Sequence, residues 1–420
     1  MDIKEKREYC LNCMGAPCKK LGCPLQNNIP EFIHEEDDEK AFEILSKTTV
    51  LPAICGRVCP HTKQCQGICT RNFSGKSVSI GEIEAYLGDK AIENGYKYKK
   101  EDSINKSVAV VGSGPSGLTC AAFLAMKGVN VTIYEKNEKL GGLLYYGIPD
   151  FRLDRKIVEN TISKILELGI EVKCNMELGK DFSIDELTKK YNSIYLAIGA
   201  NEPNYSLKGD NVLSANKLLE DINKNYEIPN FENKKVVVSG GGNVAMDAAR
   251  TIKRMGADVT VIYRRDFEQM PAEDEEIEAA KKDGIEFLVK TNILEAYSGN
   301  NNSNNSNNSS NNKIKCVKTE LIEKEDSSRL VPVNIDGSDF EIDADYVVLA
   351  TGSRTNEKLL REQGLELDEY GYTKVDDKMQ TSIKNVYAGG DLVGTKATVA
   401  WSARNGRDAA EYIFENITKI

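Results

Sequence analysis

The feature that most restricts how this chain can fold occurs twice. "KSVAVVGSGPSGLTCAAFLAMKGVNVTIYEK", from Lys106, and "KVVVSGGGNVAMDAARTIKRMGADVTVIYRR", from Lys235, each run from a short apolar strand through a glycine turn into a helix and on to a second apolar strand. Strands without polar alternation are those of a parallel sheet covered on both faces. A strand, helix and parallel strand in succession form a right-handed βαβ unit. Two copies predict two Rossmann-like dinucleotide-binding domains in an α/β chain.

Between the copies lie a helical pattern, "DRKIVENTISKILELG", and the strand-like "SIYLAIGA"; after the second come "EIDADYVVLATG" and "NVYAGGDLVGTKATVAWSARNGRDAAEYIFENI". Two apolar strands ending in glycine turns bracket the second unit, as when one nucleotide-binding domain is inserted into another. The expected division is a helical domain at 1–104, a first Rossmann domain at 105–202 and 346–420, and a second at 203–345. "SGNNNSNNSNNSSNNK" (298–313) is nearly pure Asn and Ser; it cannot bury a core and reads as a disordered hairpin tip joining two strands of the second domain.

In the first unit, Gly112, Gly114 and Gly117 form GxGxxG, with Ser113, Pro115 and Ser116 between them, directly after a strand and before a helix. The first glycine permits the turn, the second lets the backbone approach a pyrophosphate, and the third lets helix pack on strand. The helix N-terminus offers unpaired N–H groups to the anion. Glu135 closes the next strand at the expected spacing of about twenty residues, where a carboxylate accepts hydrogen bonds from ribose hydroxyls and repels a 2′-phosphate. The ligand is therefore FAD or NAD. Gly390 and Asp391 in "AGGDL" end a late strand before a helix. That arrangement resembles flavoproteins of the disulfide-reductase type, which present an aspartate to the ribityl chain, and it implies FAD.

The second unit carries the GxGxxA variant at Gly240, Gly242 and Ala245, and its second strand runs into Arg264 and Arg265 instead of an acid. A guanidinium offers a permanently charged fork to a 2′-phosphate, so NADPH is expected.

Eight of the eleven cysteines fall in the first hundred residues: Cys10, Cys13, Cys18 and Cys23, then Cys55, Cys59, Cys65 and Cys69. The first twenty residues are charged, without the apolar core of a signal peptide, and no run approaches the roughly 18 apolar residues of a membrane span. A cytoplasmic location without a membrane is expected. In a reducing compartment closely spaced cysteines are metal ligands or redox groups before they are disulfides. Only Cys10 and Cys13 make the CxxC knuckle expected of zinc, and prolines follow Cys23 and Cys59, nearer the ferredoxin style of iron–sulfur ligation. Zinc stays the alternative at this point.

Cys120, Cys174 and Cys316 read as small buried hydrophobes, and no CxxC lies near the flavin motifs to accept electrons as a dithiol. The two histidines, His34 and His61, read as ordinary surface or loop residues. "EEDDEK" (35–40) reads as a solvated helix face or loop, and a net charge of −10 argues against nucleic acid as a partner.

Taken together, CxxCxxxxCxxxxC, CxxxCxxxxxCxxxC, "VGSGPSGL", "YEKNEKLGGLLYYGIPDFRL", "SGGGNVAMDAA", "YRRDFEQMPA" and "AGGDLV" resemble the small (beta) subunit family of NADPH-dependent glutamate synthase. The same module forms the N-terminal part of dihydropyrimidine dehydrogenase and the larger subunit of NADH-dependent ferredoxin:NADP oxidoreductase. The chain departs in a short N-terminal lead, a longer last gap in the first cysteine group, and the Asn/Ser insertion. The resemblance implies two 4Fe-4S clusters with crossed ligation: Cys10, Cys13, Cys18 and Cys69 on one, Cys23, Cys55, Cys59 and Cys65 on the other. It implies FAD contacts at Gly112 through Gly117, Glu135, Lys136, Gly142, Leu143, Arg152, Asp391 and Thr398. NADPH contacts are implied at Gly242, Asn243, Ala245, Arg264 and Arg265. The implied activity takes hydride from NADPH and passes single electrons to a partner, either a glutamate synthase large chain or a ferredoxin-linked subunit of a transhydrogenase. A reading from another class is a flavin reductase with a zinc-held N-terminal interaction module. Metal analysis separates the two.

Overall fold

The computed structural model describes residues 1–297, 312–324 and 327–419. These form two compact units. The first comprises Met1–Tyr145, Asp150–Ala200 and Thr355–Ile420, and the second Tyr146–Pro149 and Asn201–Arg354.

The sheet of the first unit is entirely parallel, in the order Val386–Ala388, Ser193–Leu196, Ser107–Val111, Asn130–Tyr134, Glu171–Lys173. Its central strand is buried along Val108–Val111, which is why the sequence shows no alternation there. Register pairs Val111 with both Tyr134 and Leu196, and Leu196 with Ala388. The carboxyl ends therefore line up, and the residues that follow them, Gly112, Glu135 and Gly389–Gly390, share one edge of the sheet. That edge is where open α/β sheets bind ligands. The helices Pro115–Met126 and Val399–Thr418 pack against each other so closely that a Cβ on Gly406 would lie 2.1 Å from the Ser116 carbonyl oxygen.

The N-terminal segment with its eight cysteines, Cys10 to Cys69, belongs to this same compact unit. Their core is a pair of helices, Pro52–Val58 and Ile80–Glu93, that approach through glycine: a Cβ on Gly88 would meet the Ala53 nitrogen at 2.3 Å, and one on Gly56 the Ala85 nitrogen at 2.4 Å. This contact fixes Cys55 inside the first helix and Cys59 at its C-terminus. The acidic run at 35–40 is not one helix face. Helix Ile29–His34 ends before it, and Asp37 caps helix Asp38–Ser46, its carboxylate accepting from the Glu39 and Lys40 N–H groups.

The second unit has its own parallel sheet, in the order Val212–Ser214, Tyr346–Leu349, Lys235–Ser239, Asp258–Tyr263, Glu286–Val289. Beside it stands an antiparallel sheet of Thr291–Tyr297, Lys313–Lys324, Ser327–Asn334 and Phe340–Asp343. Here one expectation is corrected. The return to the first Rossmann domain, read at residue 346, comes at Thr355, because Tyr346–Leu349 pairs with Lys235–Ser239 and Val212–Ser214 in the middle of the second sheet. An apolar strand ending in a glycine turn suits either sheet, so its pattern could not say which. The expected Asn/Ser hairpin tip falls on residues 298–311, outside the described residues; the strands on either side of it pair antiparallel.

Candidate dinucleotide and cysteine sites

The three glycines of the first motif stand in three different environments. Gly112 has φ +98°, and a Cβ there would meet the Ala197 carbonyl oxygen at 2.4 Å. On Gly117 a Cβ would lie 1.9 Å from the Gly112 carbonyl oxygen. Around Gly114 there is nothing within 4 Å of where a Cβ would be. The outer glycines are thus demanded by the protein's own packing, and the middle one leaves a space that a Cβ would fill and a pyrophosphate suits. Gly114 also caps helix Pro115–Met126 without a side-chain hydrogen bond, which leaves first-turn N–H groups for an anion.

Glu135 is buried beside this turn. One carboxylate oxygen accepts from the Ser113 N–H at 3.0 Å and the Ser113 hydroxyl at 2.5 Å, and the other from the Asn137 N–H at 2.9 Å. Gly142, at φ +53°, sits over the turn: a Cβ there would be 3.0 Å from the Gly114 Cα. Leu143 and Lys136 are exposed and Arg152 half-buried. On the other side, Gly390 at φ +70° packs against Ser116, and the Ser402 hydroxyl donates to Asp391 at 3.5 Å. Burial pushes the Asp391 carboxyl above the usual carboxylate range. Thr398 caps the last helix, its hydroxyl accepting from the Trp401 N–H. Gly112–Gly117, Glu135, Gly142, Gly390 and Asp391, all read as part of an FAD site, thus come together at one end of one sheet.

The second motif repeats this design in its own unit. Gly240 has φ +144° and a Cβ on it would lie 2.6 Å from the Ala350 carbonyl oxygen. Gly242 has nothing within 4 Å and caps helix Asn243–Arg254 without a side-chain bond. Ala245 is fully buried, and Asn243 accepts from the Glu273 N–H at 3.1 Å. Beyond strand Asp258–Tyr263, Arg264 is exposed, and the Nε–H of Arg265 is buried with no hydrogen-bond partner. An orphaned guanidinium donor beside an open glycine turn fits a phosphate.

The cysteines do not sort by sequence. Cys10, Cys13 and Cys18 share one partly solvent-open pocket with Cys69, lined also by Pro17, Ile29 and Ile33. Cys23 is not among the residues that line it. Burial raises the Cys23 and Cys65 thiols and a hydrogen bond with Cys55 raises Cys59, with smaller contributions from one another's charges, from Glu84 and, for Cys65, from Cys18. Burial pushes Cys18 up to about 11 and Cys23 to about 12. Among the described residues, no three Cys, His, Asp or Glu side chains converge closely enough to hold a metal ion.

Four residues near the second group escaped sequence reasoning. Glu84, on the inner face of helix Ile80–Glu93, is buried, accepts from the Asn27 amide at 3.2 Å, and burial raises its carboxyl to about 8. Asn27 in turn accepts from the Thr48 hydroxyl. Arg404 and Arg407, on the helix capped by Thr398, donate to the Pro24 carbonyl at 2.8 Å and the Leu25 carbonyl at 2.6 Å, tying the residues after Cys23 to the Asp391 end of the sheet. No local signal marks them. Two minor readings also change. The His61 ring is tucked against Gly81, and burial lowers its pKa to about 4. Cys174 is half-exposed after strand Glu171–Lys173, whereas Cys120 and Cys316 are buried.

Among the described residues, no helix is long and apolar enough to cross a membrane. Comparison with known proteins matches residues 106–406 to the pyridine nucleotide-disulphide oxidoreductase family and residues 1–96 to dihydropyrimidine dehydrogenase domain II with its 4Fe-4S cluster. The chain is 34% identical to the glutamate synthase (NADPH) small chain of Escherichia coli, over 98% of this chain and 90% of that one. It is also 34% identical to that of Azospirillum brasilense, over 97% and 88%. Among solved structures it is similar in fold to Mycobacterium tuberculosis FprA in complex with NADPH, with a TM-score of 0.62 and 19% identity over 75% of this chain and 85% of that one.

Proposed function

For a chain that belongs to the pyridine nucleotide-disulphide oxidoreductase family, and within it to the glutamate synthase small chains, we propose an electron-delivering subunit that oxidises NADPH and serves a separate acceptor protein. That the chain is an NAD(P)H-dependent flavoprotein oxidoreductase with a 4Fe-4S domain follows from its family. The proposal adds two clusters with crossed ligation, the residues that hold each cofactor, and a large glutamate synthase chain as acceptor. When bound, FAD supplies the conversion from a two-electron hydride to single electrons, and 4Fe-4S clusters carry those electrons one at a time.

What the chain contributes is positioning. Gly112 through Gly117 would cradle the FAD pyrophosphate, Glu135 its ribose, and Asp391 and Thr398 the opposite end, with Lys136, Gly142, Leu143 and Arg152 around it. Gly240, Gly242, Asn243 and Ala245 would receive NADPH, with Arg264 and Arg265 on its 2′-phosphate. Hydride transfer needs alignment and exclusion of water more than it needs an acid or base, and neither His34 nor His61 is required.

The observation that carries the reading is the pairing of Cys69 with Cys10, Cys13 and Cys18 around one pocket. Cys18→Ser is expected to lose roughly half of the iron and acid-labile sulfide and to keep the flavin. Loss of all iron from a variant that still melts cooperatively contradicts crossed ligation, and zinc in place of iron in the parent contradicts the clusters altogether. Glutamate formation is expected only after a large chain is added. Purified chain that makes glutamate from glutamine and 2-oxoglutarate refutes the division of labour.

A further inference from the structure

Arg264 and Arg265 follow strand Asp258–Tyr263 of the parallel sheet, but the groups that hold their backbone come from elsewhere in the unit. Pairing of Thr291 with Lys318 brings Thr319, in the antiparallel strand Lys313–Lys324, beside Lys290. Three hydrogen bonds then join these residues to the arginine pair. The Thr319 hydroxyl donates to the Arg264 carbonyl at 2.8 Å, the Thr319 N–H to the Lys290 carbonyl at 2.9 Å, and the Lys290 N–H to the Arg265 carbonyl at 2.9 Å. Thr319 is buried, where a hydroxyl needs an acceptor, and the acceptor it has is the arginine backbone. Lys290 has φ +48°, a left-handed conformation that a lysine keeps only where its surroundings impose it. It is the single residue between strand Glu286–Val289 of the parallel sheet and strand Thr291–Tyr297 of the antiparallel one.

The Lys290 side chain has a separate partner. Asp266 directly follows the arginine pair, and an unpaired carboxylate there would draw a guanidinium to itself or repel a phosphate. Lys290 Nζ meets one oxygen of that carboxylate at 2.7 Å, and the other accepts from the Phe267 N–H at 2.8 Å. Lys290 is the largest cause that holds the Asp266 carboxyl below its ordinary range. A partly exposed ion pair adds little to stability. Its consequence is local: an acid is neutralised next to the two residues read as taking a phosphate.

Resting on the reading that Arg264 and Arg265 take the 2′-phosphate of NADPH, we propose that Thr319 and Lys290 are positioning residues for nucleotide choice: both brace the backbone of the arginine pair, and Lys290 also masks the neighbouring acid. The βαβ unit supplies the arginines, and the antiparallel sheet beside it fixes where their backbone stands. Loss of either device should therefore cost affinity for a 2′-phosphate and spare the rest of the nucleotide.

The probes are 2′-phospho-ADP-ribose and ADP-ribose, which differ only in the 2′-phosphate, titrated calorimetrically into the FAD-loaded holoenzyme. The parent is expected to bind the phosphorylated probe at least about tenfold more tightly. Thr319→Val, which keeps the shape and removes the hydroxyl, should lower that ratio about fivefold, and Thr319→Ser should return it to within about twofold of the parent. Lys290→Asn, which tolerates the left-handed backbone and loses the cation, should lower the ratio at least about fivefold, and adding Asp266→Asn should restore it. Binding of ADP-ribose should stay within about twofold throughout, and in menadione reduction the loss should fall on the KM for NADPH and not on kcat. A parental ratio in both Thr319→Val and Lys290→Asn overturns the proposal. So does an equal loss of both probes, which marks a merely structural role. Failure of Asp266→Asn to rescue Lys290→Asn overturns the masking of the acid. The Lys290 side chain is 50% exposed, so its variant decides the matter if Thr319→Val does not fold. A parent that binds the two probes equally overturns the reading of the arginine pair, and this inference with it.

Discussion

The two glycine turns share a backbone plan and differ in two residue choices. In both, the first glycine adopts positive φ beneath a carbonyl oxygen and the middle glycine faces open space. At the third position the first unit has Gly117, with a carbonyl oxygen 1.9 Å from where a Cβ would sit, and the second has Ala245 with its methyl fully buried. At the end of the following strand stand a buried Glu135 in one and Arg264–Arg265 in the other. The backbone plan is thus repeated while the side chains at one edge of each sheet differ, and under the function proposed above that difference would assign one turn to FAD and the other to NADPH.

The sharpest way to break this comparison is to give the first turn the residue of the second. Gly117→Ala must drive a methyl into the Gly112 carbonyl, so a loss above about 3 kcal/mol or no soluble protein is expected. Ala245→Gly should cost only about 1 kcal/mol in thermal melts. Next in size, Gly114→Val fills the first open space and should leave protein without flavin. Gly242→Val should keep flavin by absorbance yet no longer reduce it with NADPH. If either variant loses both functions, the two turns are not independent. Smallest is the charge at the strand end. Replacing Arg264 and Arg265 by Ser should raise the KM for NADPH about ten- to a hundredfold, or about 1.4 to 2.7 kcal/mol, with NADH nearly unaffected. Equal losses for both nucleotides would mean that these arginines do not read the 2′-phosphate.

The turns were legible because their demands are local: a strand, a positive φ, an open backbone and a helix N-terminus all fall within a dozen residues. The Rossmann units and the parallel sheets were read from them. What stayed hidden depends on contacts distant in sequence. Tyr346–Leu349 has a strand pattern that fits either sheet, and only pairing with Val212–Ser214 and Lys235–Ser239 decides. Asp37 sits in a run of charges, where a cap looks like any other acid. Glu84 stands four residues after Ile80 and three before Leu87, on the buried face of its helix, and its partner Asn27 is distant in sequence. The grouping of Cys69 with Cys10, Cys13 and Cys18 could be had from family resemblance but not from spacing; the pocket shows the thiols together.

Anaerobic titration of the holoenzyme with dithionite, followed by flavin absorbance and low-temperature EPR, tests the central claim most directly. A chain with one FAD and two separate clusters should take up about four electrons, two at the flavin and one at each cluster, with two distinguishable paramagnetic iron–sulfur signals. Uptake ending at about two electrons, with bleached flavin and no iron signal, would contradict it.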